Sequence, residues 1–298
     1  MGGLRRFSSL VVATAREILS EPLSLLVLIS AIILAVLAPA FHYHQFGEPT
    51  RMARDAGFSS LFVGGLILAI FGTIRSFRRE IEMGTMEMAL TYPITRTFFF
   101  LAKCVGAFGA YLVFALIIFL TTLVVVDGAA IGGEIATRTG DIARIWGPCL
   151  AAGIGVVILP LLGSAFLNRF ANFRFVLTSF LLAIILSVLF GCGVVVHAPL
   201  LVLKMLPVAI LLVTFTALFL LAAAAFSTLM RANAAATCVG LVFVLLLPIV
   251  GNYYLSESLT GGGSISWGYV AGAILAVCPA AFIFLLIGIH FINRRTLS

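Results

Sequence analysis

The sequence predicts an all-α protein, built as a polytopic bundle of transmembrane helices. Hydrophobic residues make up 62% of the 298 residues and charged residues only 10%, whereas soluble proteins carry about 25% charged residues. Mean hydropathy is +1.23, and the apolar residues gather in runs near the roughly 20 residues that a membrane span needs. So few charges could not cover the surface of a soluble fold. Disordered, nucleic-acid-binding and disulfide-rich secreted proteins are excluded by the same composition.

The apolar runs predict eight spans within a single domain, residues 1–298. They lie at about 23–42, 57–75, 100–126, 146–167, 175–197, 205–229, 234–252 and 267–292. The connectors between the fourth and seventh runs are short, which is also typical of re-entrant pairs. A count of six spans is therefore the main alternative.

The distribution of Lys and Arg predicts the orientation, because cytoplasmic connectors are enriched in both. With the N-terminus in the cytoplasm, the inner connectors hold thirteen of the 18 basic residues and five of the 11 acidic residues. The inner side then carries a net charge of +8 and the outer side −1. We therefore expect a multi-pass protein of the cell (inner) membrane with both termini in the cytoplasm.

Residues 1–22 predict an amphipathic helix on the inner membrane surface. Arg and Ser occupy one side of the helical wheel, and the residues of the other side recur at three-and-four spacing: Leu4, Phe7, Leu10, Val11, Thr14, Ala15, Ile18 and Leu19. Glu21-Pro22 is expected to end this helix and turn the chain into the bilayer. The plainer interpretation is a membrane anchor with no further role.

The sequence lacks the motifs of several enzyme and carrier classes. It contains no GxxxxGK[ST], HExxH or GxSxG pattern. Acidic residues are absent from the predicted span interiors, which disfavours an ion-coupled secondary carrier. An intramembrane enzyme is disfavoured because no Ser–His, His–Glu or paired-Asp constellation lies inside the predicted spans. His42 and His44 are interpreted as interface residues rather than metal ligands. No catalytic, cofactor-binding or metal-binding residue is predicted on this chain, and it is not expected to be an enzyme.

The longest cytoplasmic connector, residues 76–99, is the segment that points to function. Arginines are concentrated at its start, and three glutamates follow at positions 80, 82 and 87. Gly84 permits a close approach, and Pro93 stops a helix. This pattern predicts a short amphipathic helix along the inner surface, with an acidic exposed face suited to a cytoplasmic partner. A solvated loop whose charges merely set the topology is an equal alternative on physical grounds.

The connector also carries a recognisable run of residues: Glu82, Gly84, Thr85, Leu90, Pro93, Ile94 and Arg96, followed by Lys103. With this run the chain resembles the permeases of ABC-2 type transporters. The resemblance includes the amphipathic N-terminal helix and the first three spans. It weakens afterwards, where that family typically has three more spans and this sequence predicts five.

The resemblance implies a membrane-spanning subunit of an ABC transporter, in which the connector acts as a coupling helix in a groove of a separate ATPase subunit. ATP and Mg²⁺ would bind that partner, a second permease subunit would complete a homo- or heterodimer, and substrates would move outward. Membrane lipids are further partners, and nucleic acid is not. The expected ATPase contacts are Glu80, Glu82, Met83, Gly84, Thr85, Glu87, Leu90, Pro93 and Arg96. A non-transporting anchor that recruits an ATPase is the alternative.

The predicted orientation can be tested with single cysteines in a background without native cysteines. We expect Met86→Cys and Ser298→Cys to react with a membrane-impermeant reagent only from the cytoplasmic side, and Thr260→Cys only from outside. The charge distribution across the connectors is the physical reason. Labelling of position 86 in intact cells would contradict the orientation.

Overall fold

The computed structural model describes residues 2–37, 49–82, 95–139, 153–171, 174–229, 239 and 266–294. Within these residues the secondary structure is helical, without any strand. Several of the helices are apolar and long enough to cross a membrane. The prediction of an all-α helical membrane bundle is thus confirmed at this level.

The chain begins with two helices joined by a sharp bend. Helix α1 spans Gly2–Leu19 and α2 spans Pro22–Leu37, with 65° between their directions. Proline is favoured at the first position of a helix, where no partner is needed for the missing N–H. The sequence prediction that Glu21-Pro22 ends the first helix is therefore confirmed.

The connector lies between two long helical stretches. Helix α3 spans Pro49–Ile67, continues through a π-helical segment at Leu68–Gly72, and leads directly into α4, Thr73–Glu82. Helix α5 spans Arg96–Thr139. From here on, the connector means the segment between the end of α4 and the start of α5, which lies within the predicted residues 76–99.

Within the described residues, four further long helices follow. A π-helical segment, Ile154–Ile158, precedes α6 at Leu159–Ala171, and α7 spans Phe175–His197. Helix α8 spans Pro199–Leu229 and α9 spans Trp267–Arg294, each with an internal proline. Ala198 alone separates α7 from α8.

Five of the eight predicted spans correspond to long apolar helices. These helices are Thr50–Glu80, Arg96–Ile131, Phe175–His197, Pro199–Leu229 and Trp267–Arg294. The bent pair α1–α2 would provide a sixth span if it crosses as one. The fourth predicted span coincides with a shorter apolar helix, Ile154–Phe170, and the seventh lies outside the described residues. The count of eight, with six as its alternative, therefore stays a prediction.

Several helices continue through charged residues beyond the predicted span limits. Lys204, expected in an outer connector, lies on α8, which already begins at Pro199. Residues 76–82 belong to α4 and residues 96–99 to α5, so both ends of the predicted 76–99 segment are helical. Arg, Lys and Glu are good helix formers, and a span-length criterion does not register them.

The described helices form two compact units, to which α3, α5 and α8 each contribute. The first unit comprises Met1–Ile18, Leu66–Leu112 and Val213–Ser298. Its core is a cluster of buried side chains from four helices, α4, α5, α8 and α9: Phe77, Phe99, Phe100, Cys104, Ala224 and Ile292. Glycines allow close helix contacts here, as where Gly288 of α9 lies against the ring of Phe100.

The second unit comprises Leu19–Gly65 and Val113–Leu212. Helices α6 and α7 form an antiparallel hairpin in it, and Ser179 donates a hydrogen bond to Ser164 across the hairpin at 2.7 Å. Elsewhere in this unit Gly57 of α3 lies against Thr122 of α5. Small residues and hydroxyl pairs are the usual means by which helices associate in lipid.

Two glycines of α5 provide a matched test of the packing in the first unit. A Cβ atom at Gly106 would lie 2.7 Å from the carbonyl oxygen of Val11 and 2.7 Å from Cβ of Thr14, both on α1. A Cβ atom at Gly109 would meet nothing within 4 Å. The two positions therefore differ in the space available to a side chain.

We expect Gly106→Ala to lower the free energy of unfolding by about 1–3 kcal/mol, because α1 must move away. Gly109→Ala should leave it unchanged or raise it by up to about 1 kcal/mol, since Ala is the better helix former. Thermal unfolding of both variants in detergent measures the difference. Equal stability of the two variants would contradict the close contact between α1 and α5.

Candidate functional site

Only some of the predicted ATPase contacts lie within the described residues. Glu80 and Arg96 are described in full, and Glu82 is the last residue of α4, with no description of its side chain. Residues 83–94 lie outside the described residues, and with them Met83, Gly84, Thr85, Glu87, Leu90 and Pro93. The structure therefore informs on the two ends of the connector.

A buried lysine holds the first end of the connector. The side chain of Lys103 on α5 is 0% exposed. Its Nζ lies 2.9 Å from Oε1 of Glu80 and donates hydrogen bonds of 2.9 Å to the carbonyl oxygen and to Oγ of Ser76. An ammonium group has three donors, and three acceptors on α4 surround it.

The N-terminal helix supplies a second carboxylate to the same group of residues. Oγ of Ser76 donates to Oε2 of Glu17 at 3.0 Å, and the same carboxylate oxygen lies 3.9 Å from Nζ of Lys103. Oε1 of Glu17 lies 3.9 Å from the guanidinium of Arg79. We call Glu17, Ser76, Arg79, Glu80 and Lys103 the Lys103 cluster.

Helical spacing explains why these side chains meet. Ser76 and Glu80 are four residues apart on α4, so both face the same side one turn apart. Arg79 lies beside Ser76 and Glu80 at the solvent-exposed edge of the cluster, and 55% of its side chain is exposed. The Lys103 cluster holds two carboxylates and two cations, so its formal charges balance.

Aromatic rings enclose the apolar side of the cluster. Nζ of Lys103 lies 5.5 Å from the ring centroid of Phe77 and 5.9 Å from that of Phe99. Ring faces attract cations at such distances. A buried charge without partners costs several kcal/mol, and good geometry with full hydrogen bonding offsets this cost. The Lys103 cluster meets both requirements for its ammonium group.

Polar contacts with the last helix hold the other end of the connector. Arg96 donates through NH1 to the carbonyl oxygen of Asn293 at 3.4 Å, and Nδ2 of Asn293 donates to Oγ1 of Thr97 at 3.4 Å. The last carbonyls of a helix lack intrahelical partners, and a cation there is favourable. The N–H of Phe98 donates to Oγ1 of Thr95 at 3.3 Å, which caps the start of α5.

Two expectations drawn from the sequence concern these positions. Glu80 was expected on an exposed acidic face that contacts the ATPase. Its carboxylate is bound to Lys103 and 25% of its side chain is exposed, and its contact with the ATPase stays a prediction. Lys103 was interpreted as marking the return of the chain to the membrane, and it is a fully buried residue of α5. The position of Lys103 within an apolar run was the signal in the sequence. The sequence around Lys103 does not show which residues of α1 and α4 contact it.

The described residues contain no group of three or more His, Cys, Asp or Glu side chains that could hold a metal ion. In the Lys103 cluster every carboxylate contacts a cation. The arrangement is suited to fixing helices rather than to acid–base chemistry at a substrate.

The structural contribution of Lys103 can be measured by substitution. We expect Lys103→Met to lower the free energy of unfolding by about 3 kcal/mol, because it leaves Glu80 without its ammonium partner. Lys103→Met combined with Glu80→Gln should recover part of this loss, since no charge is then left unpaired. Thermal unfolding in detergent gives both values.

Lys204→Met is the matched control, because Lys204 is an exposed lysine on α8. Its free energy of unfolding should stay within about 0.5 kcal/mol of the unsubstituted protein. If Lys103→Met is as stable as Lys204→Met, the cluster does not hold the helices together.

Comparison with known proteins bears on the same region. A family model described as an ABC-2 family transporter protein matches residues 20–174, just over half of the 298 residues. The matched range contains the connector and the whole Lys103 cluster except Glu17. No curated protein and no solved structure matches the chain. With its long apolar helices, the chain belongs to the ABC-2 family of transporter proteins and is a multi-pass membrane permease of an ABC transporter.

Proposed function

We propose that this permease is driven by a separate ATPase subunit, which docks on the connector between α4 and α5. ATP and Mg²⁺ would bind the partner, since the chain has no GxxxxGK[ST] motif. Two permease subunits, identical or different, would form the pathway at their interface and export the substrate. The contacts on this chain would come from residues 82–94.

The observation that carries the proposal is the connector run from Glu82 to Arg96, which lies wholly within the range of the family match. The ends of this run support it further. Glu80 binds Lys103, and Arg96 binds the last turn of α9. A connector with fixed ends can pass a rigid-body motion of a docked partner to the helices that carry it.

The described contacts support dividing the nine predicted residues into two groups. Glu80 and Arg96 both have partners within the chain, so we assign them to holding the connector. Glu82, Met83, Gly84, Thr85, Glu87, Leu90 and Pro93 remain as the proposed contacts. Gly84 is the most informative of these, because a glycine in a docked helix allows close approach of the partner.

The orientation belongs to the same proposal. An ATPase works in the cytoplasm, so the connector and both termini are placed there, in agreement with the excess of Lys and Arg on that side. The exposed arginines of α1, Arg5, Arg6 and Arg16, then face the cytoplasmic surface of the membrane. Anionic lipids there attract basic residues.

Substitutions in the connector test the proposal. Gly84→Trp should prevent docking by steric conflict. Glu82→Arg and Glu87→Arg should each weaken docking by about 1 kcal/mol or more if the groove of the ATPase is basic, because like charges then face each other. Retention of the ATPase on affinity-tagged permease from detergent-solubilised membranes, together with substrate-stimulated ATP hydrolysis, measures the effect.

Gly262→Trp is the matched control, because it makes the same change in a segment that we place outside the cell. It should retain the ATPase at the level of the unsubstituted permease, and expression of all variants should be equal. Full ATPase binding and full transport by Gly84→Trp would leave the connector as a loop that only sets topology, and would overturn the proposal.

A further inference from the structure

We infer that α1 takes part in the coupling step, and that Glu17 is the positioning residue that makes α1 follow the connector. The inference rests on the proposed function, since it concerns the same connector and the same ATPase partner. An anchor on the membrane surface would need contacts with lipid alone. The contacts of α1 described above are instead with the two helices that carry the connector.

Glu17 reaches both of those helices through one serine. Oγ of Ser76 on α4 donates a hydrogen bond to Oε2 of Glu17 at 3.0 Å. The same Oγ of Ser76 accepts a hydrogen bond from Nζ of Lys103 on α5 at 2.9 Å. Nζ also lies 2.9 Å from Glu80, which is two residues before the end of α4. A displacement at the first end of the connector therefore reaches α1 through an unbroken series of polar contacts.

Uncharged contacts fasten α1 to α5 along its length. Gly106 of α5 leaves room for the backbone of α1, because a Cβ atom there would lie 2.7 Å from the carbonyl oxygen of Val11. Nearer the N-terminus, the rings of Phe7 and Phe98 meet edge to face with 5.0 Å between centroids. Helix α1 and the first turns of α5 can thus move as one body, and Glu17 adds the link to α4.

The distances separate the role of Glu17 from that of Lys103. Nζ of Lys103 keeps its three close acceptors on α4 when the Glu17 carboxylate is removed, so the fold should remain intact. What is lost in Glu17→Gln is the negative charge beside Arg79 and Lys103, while the amide oxygen can still accept from the hydroxyl of Ser76. We therefore expect a substitution of Glu17 to weaken the connection of α1 to α4 while the buried charge stays paired.

The experiment measures whether α1 moves when the partner binds nucleotide. Spin labels are placed at Ser9→Cys on the exposed face of α1 and at Leu275→Cys, an exposed position on α9, in a background without native cysteines. The tagged permease is purified with the ATPase bound to it. Pulsed electron paramagnetic resonance records the distance before and after addition of MgATP with vanadate. A second pair, Met86→Cys with Leu275→Cys, follows the connector itself.

We expect nucleotide to shift both distances in the protein with native Glu17. Glu17→Gln should reduce the shift at position 9, since the contacts of α1 with α5 at Gly106 and Phe98 remain. It should preserve the shift at position 86 and the amount of bound ATPase. Ser76→Ala, which removes the bridging hydroxyl, should have the same effect. Glu17→Asp keeps the charge and should retain the shift at position 9, and Glu21→Gln, a matched loss of a carboxylate outside the Lys103 cluster, should behave like native protein.

Two outcomes would overturn the inference and leave the proposed function standing. The first is a shift at position 86 without any at position 9 while Glu17 is present, which would make α1 an anchor only. The second is an undiminished shift at position 9 in both Glu17→Gln and Ser76→Ala. Absence of a shift at position 86 with the ATPase bound would instead contradict the proposed function, and the inference with it.

Discussion

The buried ammonium group of Lys103 constrains the arrangement of the helices around the connector. A cation with no exposed surface is tolerated only when acceptors surround it, and here they come from Ser76 and Glu80 on α4. Glu17 adds a carboxylate from α1. A relative movement of α4 and α5 that separates these atoms leaves the ammonium group unpaired in an apolar surrounding. The ion pair and hydrogen bonds of Lys103 thus fix the position of the last turns of α4, where the connector begins.

Close contacts between small residues complement this ionic constraint. Helices in lipid are not driven together by the hydrophobic effect as they are in water, so packing depends on how near their backbones can approach. Gly106 brings α5 against α1, and Gly57 brings α3 against α5 in the second unit. The polar pair Ser164–Ser179 performs a similar task in the α6–α7 hairpin. The glycines only permit a close approach of the helices, whereas the Lys103 cluster requires the helices to stay together because its buried charge must remain paired.

The sequence was sufficient wherever the controlling signal is local. Pro22 predicted the end of α1 and the bend into α2, and five of the eight predicted apolar runs correspond to helices of membrane-spanning length. It was insufficient where the partner lies far along the chain. Nothing near Lys103 in the sequence identifies Glu17 or Ser76, because those residues face it only after three helices have packed. The contact of Glu80 with Lys103 was missed for the same reason, since a helical wheel shows which residues share a face but not what covers that face.

The π-helical segment Leu68–Gly72 has a consequence for how this chain is compared with its relatives. A π segment accommodates one additional residue in a helix, and each residue of an α-helix advances the wheel by about 100°. A wheel drawn straight through this span therefore misplaces Ser76 and Glu80 by one position. In evolutionary terms, relatives with a regular helix here should lack one residue in this stretch, and an alignment that opens its gap elsewhere would pair the serine and the glutamate with residues of the wrong face.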